Sequence, residues 1–118
     1  YHEQAMHAVD FIQKYIFPGG ALPSISAISS AVARVTDLQI SHLHDIGIDY
    51  ARTLRIWRER FCSRLPEVRS LGYPDEFIRM WEWYLLYCEA GFLERAISTV
   101  QLVFDKPDCR LAAVSGAD

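Results

Sequence analysis

Several things are scarce or missing in this 118-residue sequence, and each absence narrows what it can be. No run of about 18 apolar residues occurs, which excludes a membrane-spanning helix. Cysteine is sparse: Cys62, Cys88 and Cys109 are odd in number, far apart, and form no CxxC. A disulfide framework or a zinc site is therefore not expected, and a reducing compartment is. The start, Tyr1-His2-Glu3-Gln4, has no Met, basic n-region or apolar h-region. It enters directly into a helix-like pattern and reads as part of something longer. The signatures GxGxxG, GxxxxGK[ST], GxSxG and HExxH are all missing, so the common nucleotide, hydrolase and metalloprotease chemistries have no anchor here. Internal repeats and low-complexity tracts are also absent. Lysine is nearly absent as well.

What is present begins with that imbalance. Ten arginines stand against two lysines, and six of the ten lie between Arg52 and Arg69, opposed there by Glu59 and Glu67 for a local balance of +4. The whole chain carries a net charge of −3, which argues against nucleic acid as a partner. An acidic protein with one basic stretch can meet an anionic surface at that stretch. Hydrophobic residues at 51 % and charged residues at 23 % are globular values and exclude a disordered chain.

The hydrophobic spacing predicts six elements. Met6, Val9, Ile12 and Ile16, with Phe11 and Tyr15, give a helix over 6–17, ended by Pro18-Gly19-Gly20. Ser24 is the expected N-cap of a short helix over 25–33, with Ile25, Ile28 and Val32 on one face. Residues 38–45 alternate imperfectly and are read as a strand. A helix over 51–65 carries the stripe Leu54, Trp57, Phe61 and Leu65, with Asp49 or Thr53 as its cap. Pro66 and Gly72-Tyr73-Pro74 interrupt the chain. The longest helix, 75–96, is apolar on so much of its circumference that burial on more than one side is expected. Residues 98–104 form a second strand with Val100, Leu102 and Phe104 on one face. The tail from 106 to 118 is expected to fray.

Few residues suggest chemistry by themselves. His42 and His44 share a strand face but lack a third ligand, so no metal site is expected. Asp45 and Asp49 read as caps and turns. Tyr50 follows a strand, where open α/β sheets bind ligands beyond the strand's carboxyl end. The aromatic set Trp57, Trp81, Trp83, Tyr84 and Tyr87 suits a core.

Four strings, FIQKYIFPGGALPS, HDIGIDYARTLRIWRERF, RMWEWYLLYCEAGF and VQLVF, spread in order from Phe11 to Phe104. Together they resemble the C-terminal part of cyclopropane-fatty-acyl-phospholipid synthases, methyltransferases that use S-adenosylmethionine. The resemblance implies an α/β fragment, mostly helical, whose two antiparallel strands (about 37–46 and 98–105) are the last two of a seven-stranded sheet. Residues 1–118 then belong to the C-terminal part of a methyltransferase domain, and the helices between the strands help wall an acyl pocket. Trp81, Tyr84, Tyr87 and Phe17 are the substrate-binding side chains this implies.

The resemblance also implies a reaction: the methyl of S-adenosylmethionine passes to the double bond of an unsaturated phospholipid acyl chain, and a bound bicarbonate removes a proton. The family holds that bicarbonate with a Cys, a Glu, a His-x-Ile element and a Tyr. Only the Tyr falls here, as Tyr50; His42, His44 and the three cysteines are not the family's ligands. S-adenosylmethionine and bicarbonate thus belong to the full-length parent, and neither is expected on this chain alone. Arg52, Arg55 and Arg58 are the implied membrane contacts, each contributing about 1 kcal/mol near an anionic surface. Localisation is then cytoplasmic, peripheral at the inner membrane face. A non-catalytic helical lipid- or protein-binding module is the alternative. The final strand would expose an edge in this chain, so a homo-oligomer or domain swap is expected to cover it.

Overall fold

The computed structural model describes residues 11–108. The expected helix start at Met6 and Val9, Cys109 and the tail beyond 108 lie outside the described residues. A π-helical segment, Ile12–Ile16, opens the described chain in place of the ordinary helix expected there. Its wider turn is closed by the Phe17 amide donating to the Ile12 carbonyl at 2.8 Å. Pro18 offers no amide to continue the ladder, and the chain reverses at Gly19, whose φ of 77° suits glycine.

Helix α1, Ile25–Val35, starts where expected and runs two residues further. The Ser24 hydroxyl accepts from the Ala27 amide at 3.1 Å and so caps it. None of its residues is buried. Strands β1, Gln39–Asp45, and β2, Val100–Asp105, pair antiparallel, as anticipated. Ile40 faces Phe104 and Leu43 faces Leu102, with an irregularity at Ser41. An extra residue there shifts the period, so Ile40 and Leu43, three apart, share one face. That bulge accounts for the imperfect alternation.

Helix α2, Gly47–Ser63, begins four residues before the expected start. Neither Asp49 nor Thr53 caps it. Asp45 does part of that work instead, its Oδ1 accepting from the Gly47 amide at 2.9 Å. Leu65 does not extend this helix. It opens α3, Leu65–Ser70, in which Pro66 takes a first-turn position where its missing amide costs nothing. Gly72, at φ 90°, ends α3. Helix α4, Asp75–Leu93, has Asp75 and Glu76 in its first turn, where they favour the helix dipole.

The core lies between α2 and α4. Ala51 and Leu54 pack on Leu85, Cys88 and Phe92, with Ile12, Tyr50, Trp81, Tyr84 and Ile97 partly buried around them. Leu54 is 1 % exposed. Two expectations change here. Trp57, expected in the apolar stripe, is nearly half exposed. Helix α4 buries one face only: Trp83 is 58 % exposed, and Leu86, Tyr87 and Leu93 also lie open. Within the described residues, no second layer covers that side.

Candidate functional site

Tyr50 occupies the first turn of α2, and the local sequence fixes where that turn points. The Ile46 amide donates to the Thr99 carbonyl at 3.0 Å, which ties the start of α2 to the approach to β2. Ser98 donates its hydroxyl to Asp45 Oδ1, the oxygen that also receives the Gly47 amide. These two bonds hold the Asp45 carboxyl below the usual carboxylate range, the Ser98 hydroxyl contributing most. A Cβ on Gly47 would strike the Ser98 hydroxyl, so a larger residue here requires that hydroxyl to turn away from Asp45. An open cavity of about 310 Å³ lies beside it, lined among others by Asp45, Gly47, Asp49, Phe92, Arg95 and Ser98.

The Tyr50 ring is half-buried, 5.1 Å from Phe92 and edge-on to Trp57 at 6.0 Å. Phe92 thus serves as a wall of the cavity and as a support for Tyr50. Tyr84 approaches from α4, near enough for its titration to sense both Cys88 and Tyr50. Burial pushes its hydroxyl up, and the neighbouring Cys88 and Tyr50 push the same way. A hydroxyl raised above its ordinary value of about 10 stays protonated at neutral pH and remains a donor.

The other expected substrate residues divide into two groups. Trp81 meets Tyr84 at 5.1 Å and Phe77 at 5.9 Å, and Phe17 meets Tyr84 edge-on at 6.2 Å. Phe17, Trp81 and Tyr84 are therefore one aromatic wall, continuous with the cluster that holds Tyr50. Tyr87 stands apart from these contacts. It meets Phe11 at 6.5 Å on the open side of α4.

The arginines also divide. Arg52 is exposed and forms no ion pair among the described residues. Arg55 and Arg58 instead turn toward α4, where Arg55 Nε donates to Glu89 Oε1 at 2.7 Å. Arg58 Nε lies 3.9 Å from Glu89 Oε2, close enough for charge attraction but without a hydrogen bond. Arg55 remains 54 % exposed and keeps part of its guanidinium toward solvent.

His42 and His44 share a face as expected, their rings 6.3 Å apart. No group of three metal-ligating side chains occurs among the described residues. Sequence reasoning missed Ser98 and Glu89, while Asp45 serves as the expected cap and turn. Glu89 left a signal: it falls at helical spacing with Leu85 and Phe92, so its carboxylate lies on the buried face. The Asp45–Ser98 bond joins residues 53 apart and left none.

The sequence of the chain is similar to several known proteins. The family described as mycolic acid cyclopropane synthetase matches residues 1–102. A tuberculostearic acid methyltransferase of Mycobacterium tuberculosis is 50 % identical over 86 residues, covering 73 % of this chain and 20 % of that protein. The cyclopropane-fatty-acyl-phospholipid synthase of Escherichia coli K12 is 38 % identical over 96 residues, 81 % of this chain and 24 % of that enzyme. A probable fatty acid methyltransferase of Pseudomonas putida is 32 % identical over 100 residues, 85 % of this chain and 25 % of that protein. The chain thus spans a quarter or less of the length of these relatives.

Proposed function

This chain belongs to the mycolic acid cyclopropane synthetase family, and we propose that the protein carrying it is a lipid-modifying methyltransferase. In this reading it transfers the methyl of S-adenosylmethionine to the double bond of an unsaturated phospholipid acyl chain. The segment described here supplies Tyr50 to the active site and an aromatic wall to the acyl pocket. The single observation that carries the reading is the placement of Tyr50. Its ring is held by Phe92 and Trp57, and the protonated Tyr84 lies beside it.

Bound S-adenosylmethionine supplies an electrophilic methyl, and bicarbonate supplies a base. The residues of this chain suit the second of these groups. Tyr50 presents a hydroxyl in a half-buried aromatic setting, where a hydrogen bond to an anion is worth more than in water. Tyr84 holds its proton in the same cluster, its hydroxyl engaged with the Cys88 thiol. Phe17, Trp81 and Tyr84 present ring faces, which favour nearby positive charge. Arg52 is free to approach phospholipid phosphates; Arg55 can do so only with the part of its guanidinium that Glu89 leaves open. Tyr87 joins the acyl-binding surface only if the lipid or another part of the protein covers the open face of α4.

The test uses the whole protein, incubated with S-adenosylmethionine and vesicles of unsaturated phosphatidylethanolamine and phosphatidylglycerol. Acyl chains that gain one carbon, seen by mass spectrometry, support the reading. Unaltered acyl chains together with vesicle binding would favour a non-catalytic lipid-binding module.

A further inference from the structure

Glu89 is the one charged side chain that is buried among the described residues, at 7 % exposure. It lies on the face of α4 that packs against α2, one turn before Phe92. Two arginines of α2, one turn apart, straddle it. Arg55 bonds Oε1 at 2.7 Å, and Arg58 stands 3.9 Å from Oε2. Arg58 Nε and Glu89 Oε2 are both buried without a hydrogen-bond partner. As a stabilising device this arrangement is poor. A buried ion pair offsets its desolvation only when geometry is complete, and replacing the whole group of charges by apolar side chains of similar size would often serve stability as well or better.

A carboxylate between two fixed cations does supply register. If α4 slid along α2, the Arg55 bond would break and Glu89 would stay buried without it. An apolar side chain would oppose such a slide only weakly. The register held by Glu89 is the one that sets the Phe92 ring 5.1 Å from the Tyr50 ring. We propose that Glu89 is a positioning residue: through Arg55 and Arg58 it fixes α4 on α2 so that Phe92 holds Tyr50 in its working orientation. This rests on Tyr50 being an active-site residue.

The test compares Glu89→Met and Glu89→Gln in the whole protein. Glu89→Met removes the carboxylate and keeps an apolar volume. It is expected to fold with a lowered unfolding midpoint, because Arg58 keeps a partly buried charge without its anion. Its kcat is expected to fall on the order of tenfold to a hundredfold with lipid KM within about twofold, the signature of misplacement rather than lost binding. Glu89→Gln, which still accepts from Arg55, is expected to keep an intermediate kcat. A Glu89→Met protein with unchanged kcat, or one whose kcat falls only in step with its folded fraction, overturns the inference. Should Glu89→Met not fold, Glu89→Gln is read alone, and kcat equal to that of the unaltered protein overturns it.

A second arm does not depend on activity. 3-Fluorotyrosine at position 50 and 4-fluorophenylalanine at position 77, far along α4, report by fluorine NMR. The expected result is a shifted resonance at 50 and an unmoved one at 77 in Glu89→Met, or in Glu89→Gln if that variant stands alone. Neither moving, or both moving together, overturns the inference. If the unaltered protein transfers no methyl, the functional proposal fails and this arm still decides the positioning role.

Discussion

Single residues show how a helix start becomes a potential active-site position. Asp45 joins the end of β1, the first amide of α2 and the segment before β2 through one carboxylate oxygen. Its pKa is depressed in the folded chain. Its contribution to stability is therefore fully present above the unfolded carboxylate value of about 4 and is lost as pH falls through the lower folded value. Chemical denaturation between pH 5 and pH 2 is expected to show a steeper loss of stability for the unaltered chain than for Asp45→Asn; equal slopes would contradict the role given to this carboxylate. Tyr50 stands out in the sequence by its place after a strand and within the DYARTL string. Asp45 read only as a cap or turn, because its partner Ser98 is remote in sequence and a hydroxyl there has many ordinary uses. Arg55 and Arg58 read as membrane contacts, and the spacing of α2 says nothing about a carboxylate buried on α4 that engages them.

Elements formed where periodicity was strong and differed where one residue changed the local geometry. Strand β1 carries its apolar residues at a spacing no regular strand permits, and the bulge at Ser41 resolves it. Pro66 reads as a break but also begins α3, since a proline is welcome in a first helical turn. The π-helical turn at Ile12–Ile16 left no mark in apolar spacing, because over five residues both helix types place Ile12 and Ile16 on nearly the same side. The joint between β1 and α2 makes a sharp prediction. Gly47→Ala is expected to destabilise the chain by about 1–3 kcal/mol through the clash with the Ser98 hydroxyl. Ser98→Ala in the same chain should recover part of that loss. Urea denaturation of both variants checks this, and an alanine tolerated without cost at 47 would mean the joint is looser than described.

At the scale of the whole molecule, several surfaces lie open among the described residues: both outer edges of the two-stranded sheet, the side chains of Ile40, Leu43 and Val103, and one face of α4. Two strands do not make a stable sheet alone. Further polypeptide of the kind present in the longer relatives would cover these surfaces, which explains why α4 is apolar nearly all round yet buried on one side here. Lacking that cover, the isolated chain is expected to associate through its strand edges, giving a mass by light scattering that rises with concentration; a constant monomer mass would contradict this. The central claim, that this segment brings an active-site tyrosine to a lipid methyltransferase, is tested most directly by turnover of the whole protein carrying Tyr50→Phe. With the circular dichroism spectrum unchanged, kcat for methyl transfer to unsaturated phospholipid is expected to fall on the order of 10²-fold. A kcat equal to that of the unaltered enzyme would contradict the account.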